Sequence, residues 1–209
     1  MKQLWRLFFI FNLALVTQAS AIELITIPAG QLEAIWLSPM SVKAKNETKT
    51  TRTFIRVNKF QLMPKAVTVK QYKDFLNKNI QWQKNTASSL FTDGNYLNNL
   101  EKSPDSSPVT NISWFSARAF CKSHGLRLPT LNEWEYVAAA SENKKDANKD
   151  EKFLSRILAW YGEPQTDQIK SVGSVYKNLY GVYDILLEFL HYNILHKFSY
   201  NSSFSDPIF

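Results

Sequence analysis

The stretch GLRLPTLNEWEYVAAA, residues 125–140, places an arginine, a proline and a threonine directly before a run that mixes acids with apolar residues. Thr130 and Glu133 fit a capping box, in which the threonine side chain accepts from the glutamate backbone amide and the glutamate side chain reaches back. A helix is therefore predicted to begin after Thr130, with Pro129 setting the entry angle. Its buried stripe is predicted to be Leu131, Trp134, Val137 and Ala138.

The two acids of this stretch, Glu133 and Glu135, could be taken for a general acid and a general base. On a helix, residues i and i+2 point about 200° apart, so these two side chains cannot share one substrate. The paired-acid interpretation is rejected for this reason.

A second capping box lies earlier in the chain, at Thr68 and Gln71. It predicts a first helix from Val69 to about Asn77, because apolar residues then recur at helical spacing. The residues on that apolar face are Val69, Tyr72, Phe75 and Leu76.

A further helix is predicted over residues 114–124, between the helix that begins after Thr68 and the helix that begins after Thr130. Ser113 can cap its start, and Gly125 stands where a left-handed C-terminal cap is wanted. The inward side chains are predicted to be Trp114, Ala117, Phe120 and Cys121.

Strands and connections fill the rest of the chain. IELITIPAG, residues 22–30, alternates like a short strand that stops at Pro28 and Gly30, and TFIRVNKFQLM, residues 53–63, predicts a second strand. Residues 81–108 predict a long surface loop pinned by Trp82, Phe91 and Tyr96. ENKKDANKDEK, residues 142–152, predicts a mobile, solvent-facing connection that contributes nothing to the core.

The first 21 residues have the features of a secretory signal peptide. MKQLWR carries two positive charges, LFFIFNLALV is a short apolar run, and Ala19-Ser20-Ala21 is a cleavage pattern. About ten apolar residues are too few for a membrane anchor, which needs about 20. We therefore expect an exported protein, periplasmic or secreted, that begins at Ile22 and keeps no membrane span.

Composition narrows the class of protein further. With 209 residues, 44% of them hydrophobic, the chain has material for a single globular domain. Removing Lys2 and Arg6 from the formal charge of +7 leaves +5, without an Arg/Lys stripe, so nucleic acid is not expected as a partner. Cys121 is the only cysteine, which excludes an intramolecular disulfide, and its apolar neighbours favour a small buried residue over a reactive thiol.

The order of four segments resembles the formylglycine-generating enzyme family, also called the sulfatase-modifying factor domain. These segments are KAVTVKQYKDFL (65–76), SPVTNISWFSARAFC (107–121), GLRLPTLNEWEYVAAA (125–140) and NLYGVYDI (178–185). The resemblance implies an α+β domain over residues 22–185, a variant of the C-type-lectin-like fold with little regular secondary structure. The tail over residues 186–209 carries no family pattern.

Within this resemblance, the quoted stretch belongs to the structural signature of the family. We expect Arg127 and the acids to make partly buried ionic contacts, because an unpaired buried charge would be costly. The stretch is therefore interpreted as scaffold. The matching signature residues are Trp114, Arg127, Leu128, Pro129, Thr130, Glu133, Trp134, Glu135, Gly181, Tyr183 and Asp184.

The chain differs from the family in the residues that carry out the family's reaction. Active members oxidise a substrate cysteine with two cysteines near the C-terminal end, a thiolate pair suited to Cu(I), with oxygen as oxidant. Cys121 matches a structural segment instead, so no catalytic or copper-binding residue is predicted. His191 and His196 lack a third ligand, and only Glu188 could match the calcium-associated segment of the family, so no metal or other cofactor is predicted.

Three functions remain open at this point. The first is an exported, noncatalytic accessory or binding protein with a protein or peptide partner; the second is an oxidoreductase fragment completed by another chain; the third is a lectin-like ligand-binding module. The tail after Ile185 is expected to be a shifted or truncated ending. The alternative is a genuine short ending that folds back as an amphipathic helix, with Leu187, Leu190 and Ile194 inward.

Overall fold

The computed structural model describes residues 22–33, 54–162 and 169–185. The expected signal peptide, the tail after Ile185, Glu188, His191 and His196 lie outside these residues. The described elements are β1 (Ile25–Ile27), β2 (Gly30–Glu33), β3 (Phe54–Val57), β4 (Phe60–Leu62), α1 (Val69–Lys78), a 3-10 turn (Ile80–Trp82), α2 (Trp114–Ser123), α3 (Leu131–Ala138) and α4 (Glu151–Gly162).

The strands form two antiparallel pairs, β1 with β4 and β2 with β3. Ile27 lies opposite Phe60 in the first pair, and Gly30 lies opposite Val57 in the second. The short strand predicted to stop at Pro28 is confirmed as β1, whereas residues 53–63, predicted as one strand, form the two strands β3 and β4. Residues 28–29 and 58–59 interrupt the two segments, and the pieces on either side of each break belong to different sheets.

The prediction for the first helix is confirmed. Both halves of the Thr68–Gln71 capping box are formed, at 3.1 Å and 2.9 Å. Tyr72 is fully buried, and its ring stacks on that of Phe120 of α2 with 5.8 Å between centroids. The predicted face, Val69, Tyr72, Phe75 and Leu76, is the face that α1 buries.

The long loop after α1 is pinned as predicted, although unequally by its three rings. Tyr96 is buried, and its hydroxyl donates to the carbonyl of Trp82 at 2.8 Å. Phe91 packs against the Trp82 and Phe115 rings but leaves 42% of its surface exposed. The loop is thus anchored mainly by Tyr96.

The helix predicted after Thr130 is confirmed, but its predicted buried stripe is partly wrong. Val137 and Ala138 are buried, whereas Leu131 is 46% exposed and Trp134 is only partly buried. The face turned to the core includes Glu135 and Tyr136 instead. The reason is that α3 packs against β2 and β3, where Gly30 comes so close to the Tyr136 hydroxyl that any side chain would collide with it.

The charged segment 142–152 does contribute to the core, contrary to the prediction. Ala147 is 1% exposed, and Phe153 just after the segment is 4% exposed. Asp150 starts α4 by accepting from the backbone amides of Lys152 and Phe153 at 3.0 and 3.2 Å. The alanine and the phenylalanine are buried while the charged side chains point outward. Because most residues of the segment are charged or polar, these two buried positions were not apparent from its composition.

No helix among the described residues is long and apolar enough to cross a bilayer.

Candidate functional site

An apolar groove lies between β4, α2 and the segment that leads into α3. Its volume is about 470 Å³, within the range of roughly 300–1,000 Å³ that is typical of ligand pockets. Among the described residues, its main apolar wall is formed by Phe60, Leu62, Met63, Trp114, Ala117, Phe120, Cys121, Leu126, Leu128, Pro129, Leu131, Trp134, Val182 and Ile185.

Local structure explains how these side chains converge. Phe60 and Leu62 are two residues apart on a strand, so they point to the same face of β4. On α2, Ala117 and Cys121 are four residues apart and share one helical face. Gly125, with a φ of 69°, then turns the chain so that the following residues line the groove.

Arg127, which lines the groove just before α3, is already paired. Its guanidinium donates to both carboxylate oxygens of Glu133, at 2.7 and 2.6 Å. The hydrogen bond from Arg127 holds the pKa of Glu133 below its ordinary value, and Glu133 raises the pKa of Arg127 in turn. Glu133 also accepts from the Thr130 backbone amide at 2.8 Å, which completes the capping box. The contact therefore fixes the groove wall.

Glu135 takes no part in that ion pair, so the expectation that Arg127 contacts both acids is half wrong. Its side chain is buried on the other face of α3, and among the described residues its Oε1 has no hydrogen-bond partner. Burial raises the pKa of this carboxyl. The two acids thus have different environments, in agreement with the rejection of an acid–base pair.

Cys121 faces the groove from α2. Its sulfur is a free thiol, and burial raises its pKa to about 11. A thiol with that pKa is almost entirely protonated at neutral pH, on the order of one thiolate in ten thousand. The residue therefore acts as an apolar wall residue with very little nucleophilic character.

The signature residues near the end of the domain build a closing turn, residues 173–184. Asp184, 9% exposed, holds the turn with its carboxylate. Its acceptor contacts are the backbone amides of Gly173 (2.7 Å), Ser174 (3.1 Å), Val175 (3.1 Å) and Tyr176 (2.9 Å). Backbone dipoles thus replace the water that a buried carboxylate would otherwise need.

Asn178 ties the closing turn to α3. Its side-chain nitrogen donates to the carbonyl of Val137 at 2.9 Å, and its oxygen accepts from the amides of Tyr180 and Val182 at 3.1 and 3.0 Å. Gly181 adopts a φ of 87°, which a residue with a side chain would reach only with strain. The next residue, Val182, lines the groove, so the closing turn forms part of the groove wall.

The structure separates the predicted signature residues into four places. Trp114, Arg127, Leu128, Pro129, Thr130 and Trp134 line the groove, Gly181, Tyr183 and Asp184 belong to the closing turn, Glu133 anchors Arg127, and Glu135 faces the core. Tyr183 lies near the groove residue Lys65, whose Nζ is 5.2 Å from the ring centroid.

Sequence reasoning missed the strand side of the groove. Phe60, Leu62 and Met63 line it together with Lys65, although none of them was singled out. The signal available was the alternation of Phe60 and Leu62 within their segment. That alternation predicts a shared face but does not say which helix packs opposite it.

The described histidine, His124, is engaged in a local contact. Its Nδ1 lies 2.9 Å from the carbonyl oxygen of Phe120 at the end of α2. Across residues 22–33, 54–162 and 169–185, no three His, Cys, Asp or Glu side chains are grouped so that they could hold a metal ion.

The fold and groove define a mixed α+β domain with two small antiparallel sheets, in which residues 125–130 lead into α3. A family model described as the sulfatase-modifying factor enzyme 1-like domain matches residues 13–186. The chain belongs to this family, as its sequence motifs indicated.

Two curated relatives are similar to parts of the chain. An "Inactive C-alpha-formylglycine-generating enzyme 2" from Bos taurus is 35% identical over 89 residues, which cover 38% of this chain and 30% of the relative. An "Uncharacterized protein" from Borreliella burgdorferi is 28% identical over 134 residues, covering 58% of this chain and 26% of the relative. The chain therefore matches less than a third of the length of either relative.

Proposed function

We propose that this chain is an exported, noncatalytic member of the sulfatase-modifying factor family that acts as an accessory or binding protein. The observation that carries the proposal is Cys121, the only cysteine, set in an apolar wall with its pKa raised to about 11. Cysteine oxidation of the family type needs a pair of thiolates that bind Cu(I). The bovine relative, which is called inactive, supports a noncatalytic member.

The groove is the surface on which we place the binding role. Its wall is mostly aliphatic and aromatic, and the adjacent guanidinium of Arg127 is neutralised by Glu133. Such a surface favours an apolar peptide segment over a charged or strongly polar ligand. In the full proposal the domain has the C-type-lectin-like form and holds no copper, calcium or other cofactor.

The chemical half of the proposal is tested with a sulfatase-type cysteine peptide, copper and oxygen. We expect no aldehyde on the peptide and no tight Cu(I) binding, because one protonated thiol cannot supply two-sulfur coordination. An active formylglycine-generating enzyme in the same buffer is the positive control. Aldehyde formation that disappears in Cys121→Ser would overturn the proposal.

A second candidate is an oxidoreductase fragment that another chain completes. The short match to each relative, 26% and 30% of their lengths, favours this alternative. Copper titration combined with an oxygen-consumption assay separates the two candidates. Oxygen consumption that appears only when a second chain is added would favour the fragment.

The location is tested on the cellular product. We expect cleavage after Ala21 and a mature protein that begins at Ile22, because the charged start, short apolar run and small-residue site fit a signal peptidase. Mass spectrometry of the periplasmic or extracellular protein gives the N-terminus. An intact Met1 on a membrane-embedded product would contradict export.

A further inference from the structure

The groove has the edge of a strand along one side. Four consecutive residues, Phe60 to Met63, line the groove, whereas no residue of β1, the partner of β4, does so. Side chains alternate across a strand, so contact with one face of β4 would bring only every second residue to the groove. The outer edge of β4, which points away from β1, therefore faces the groove.

The peptide groups on this outer edge have no partner among the described residues. β4 belongs to a sheet of two strands, in which it pairs with β1 alone. Apart from that pairing, no hydrogen bond from another described backbone or side-chain group reaches residues 60–63. An open strand edge beside an apolar wall is the arrangement to which an extended peptide can add as a further strand. Alternate side chains of such a peptide would enter the groove.

Positive charge lies just beyond the end of β4. The side chain of Lys65 lines the groove and extends over Gly173, where an added Cβ would lie 2.9 Å from the lysine Cε. Its Nζ and that of Lys177 each lie 5.2 Å from the centre of the Tyr183 ring. No carboxylate of the described residues lies within ion-pair distance of either nitrogen. Two ammonium groups leave this part of the groove positive even when the buried carboxylate of Asp184 is counted.

We propose that the groove binds an extended segment of a partner protein that adds to the outer edge of β4 as a third strand, with apolar side chains at alternate positions in the groove and an acidic residue beside Lys65. This inference rests on the proposed binding role, and it adds the backbone conformation and the charge of the partner segment. The strand edge favours a peptide over an apolar small molecule, because a peptide carries donors and acceptors at the repeat of a strand. Since Arg127 is already paired with Glu133, Lys65 is the cation among the described groove residues that is left to select the charge of the partner.

The first test separates strand addition from apolar contact alone. It uses the full-length chain and short fluorescent peptides in which valine and threonine alternate and a glutamate stands at each end, with binding measured by fluorescence anisotropy. Every second backbone nitrogen of the peptide is methylated, in two staggered sets. We expect one set to weaken binding roughly tenfold and the other to leave it nearly unchanged, because the amides of a strand point alternately to its two sides. No binding of the unmodified peptide, or equal effects of the two sets, would overturn the proposal.

The second test addresses the charge of the partner. A peptide with lysine in place of both glutamates is expected to bind the wild-type chain roughly tenfold more weakly, and Lys65→Glu is expected to reverse this preference. The difference between the two peptides should shrink as the salt concentration rises. Lys59→Glu, at an exposed position before β4 that does not line the groove, is the matched control and should keep the wild-type preference. A preference that Lys65→Glu leaves unchanged would contradict the role of this lysine.

A third test places the peptide in the groove. Leu131 is an exposed leucine that lines the groove, so Leu131→Lys is expected to weaken binding of the glutamate peptide roughly tenfold. Leu158→Lys, at an exposed position on α4 outside the groove, is the matched control and should bind as the wild type does. A cooperative thermal transition shows that each variant has folded. Unchanged binding in a folded Leu131→Lys chain would contradict the proposal.

The same preparations show whether a second copy of the chain takes the place of the peptide. We expect a monomer by analytical ultracentrifugation at the concentrations of the binding assay. A dimer that excludes the peptide would mean that two copies pair at β4, and it would overturn the proposal. The aldehyde assay does not depend on any of these results, so failure here is distinguishable from failure of the proposed noncatalytic role.

Discussion

Two carboxylates of the family signature hold their turns by different means. At the turn into α3, Glu133 is neutralised by the guanidinium of Arg127, whose side chain is 62% exposed. In the closing turn, Asp184 is buried and is neutralised by backbone amides, beginning with that of Gly173 at 2.7 Å. A solvent-exposed side-chain cation thus serves Glu133, whose own side chain is only 13% exposed, and oriented peptide groups serve Asp184. The buried arrangement depends far more on a single residue.

The sharpest way to break this comparison is Asp184→Ala. It removes both acceptor oxygens and leaves the amides of residues 173–176 without their partner, so we expect a loss of about 3 kcal/mol in the free energy of unfolding. Urea unfolding followed by circular dichroism measures it. Asp74→Ala, which breaks an exposed contact of 3.5 Å with Lys70, is the matched control and should cost below about 0.5 kcal/mol. Similar losses in the two variants would refute the difference drawn here.

A substitution at Glu135 is expected to raise the free energy of unfolding, by an amount smaller than the loss expected for Asp184→Ala. Its buried carboxyl is costly when ionised, so Glu135→Leu should raise the free energy of unfolding by about 1 kcal/mol at pH 7.5. Burial raises the pKa of Glu135, so the folded state holds the proton more tightly, and wild-type stability falls as the pH rises above the ordinary glutamate value. The gain should therefore shrink at pH 4.

The control for that experiment is Asn132→Leu, an exposed position on the same helix. It should change stability little and without a pH trend. A Glu135→Leu chain that is less stable at pH 7.5 would indicate that the carboxylate has a partner that stabilises it.

The smallest effect is expected at the pair of Glu133 and Arg127, of which Arg127 is exposed to solvent. Glu133→Gln keeps an acceptor for the capping box but removes the charge, and we expect a loss of about 0.5–1 kcal/mol at pH 7. The pKa of Glu133 is lowered, mainly by Arg127, so its contribution is present above the ordinary value and is lost as the pH falls through the lowered one. Urea unfolding at pH 7 and pH 3, with Arg127→Gln completing a double-mutant cycle, measures the coupling. A coupling of zero would show that the cap alone holds the turn.

Local signals explain which parts of the fold were predictable. Both capping boxes and the left-handed Gly125 depend on residues within a few positions of each other, so the starts of α1 and α3 and the end of α2 followed from the sequence. The buried face of α3 was out of phase by about one residue. It is set by the approach of Tyr136 to Gly30, a contact across more than a hundred residues that no local pattern carries.

The candidate site was predictable only in pieces. The sequence indicated that Ala117, Phe120 and Cys121 share one face, and the family resemblance marked the segment after Gly125 as scaffold. Their meeting with Phe60 and Leu62 depends on how the sheet packs on the helix. By contrast, α4 was missed although local signals were present, namely Asp150 before its first turn and Phe153, Leu154, Ile157 and Leu158 at helical spacing.

The side chain of Asn178 has a consequence for how the chain is synthesised. Its bond to the Val137 carbonyl spans 41 residues, and the Asp184 carboxylate that closes the same turn comes later still. On a translating ribosome, α1 to α3 emerge well before either group, and they wait with Val137 and the Tyr136 side of α3 only partly covered. At roughly 5–20 residues per second, this interval lasts seconds and exposes apolar surface to chaperones. The closing turn is thus the step that completes the cover over Val137.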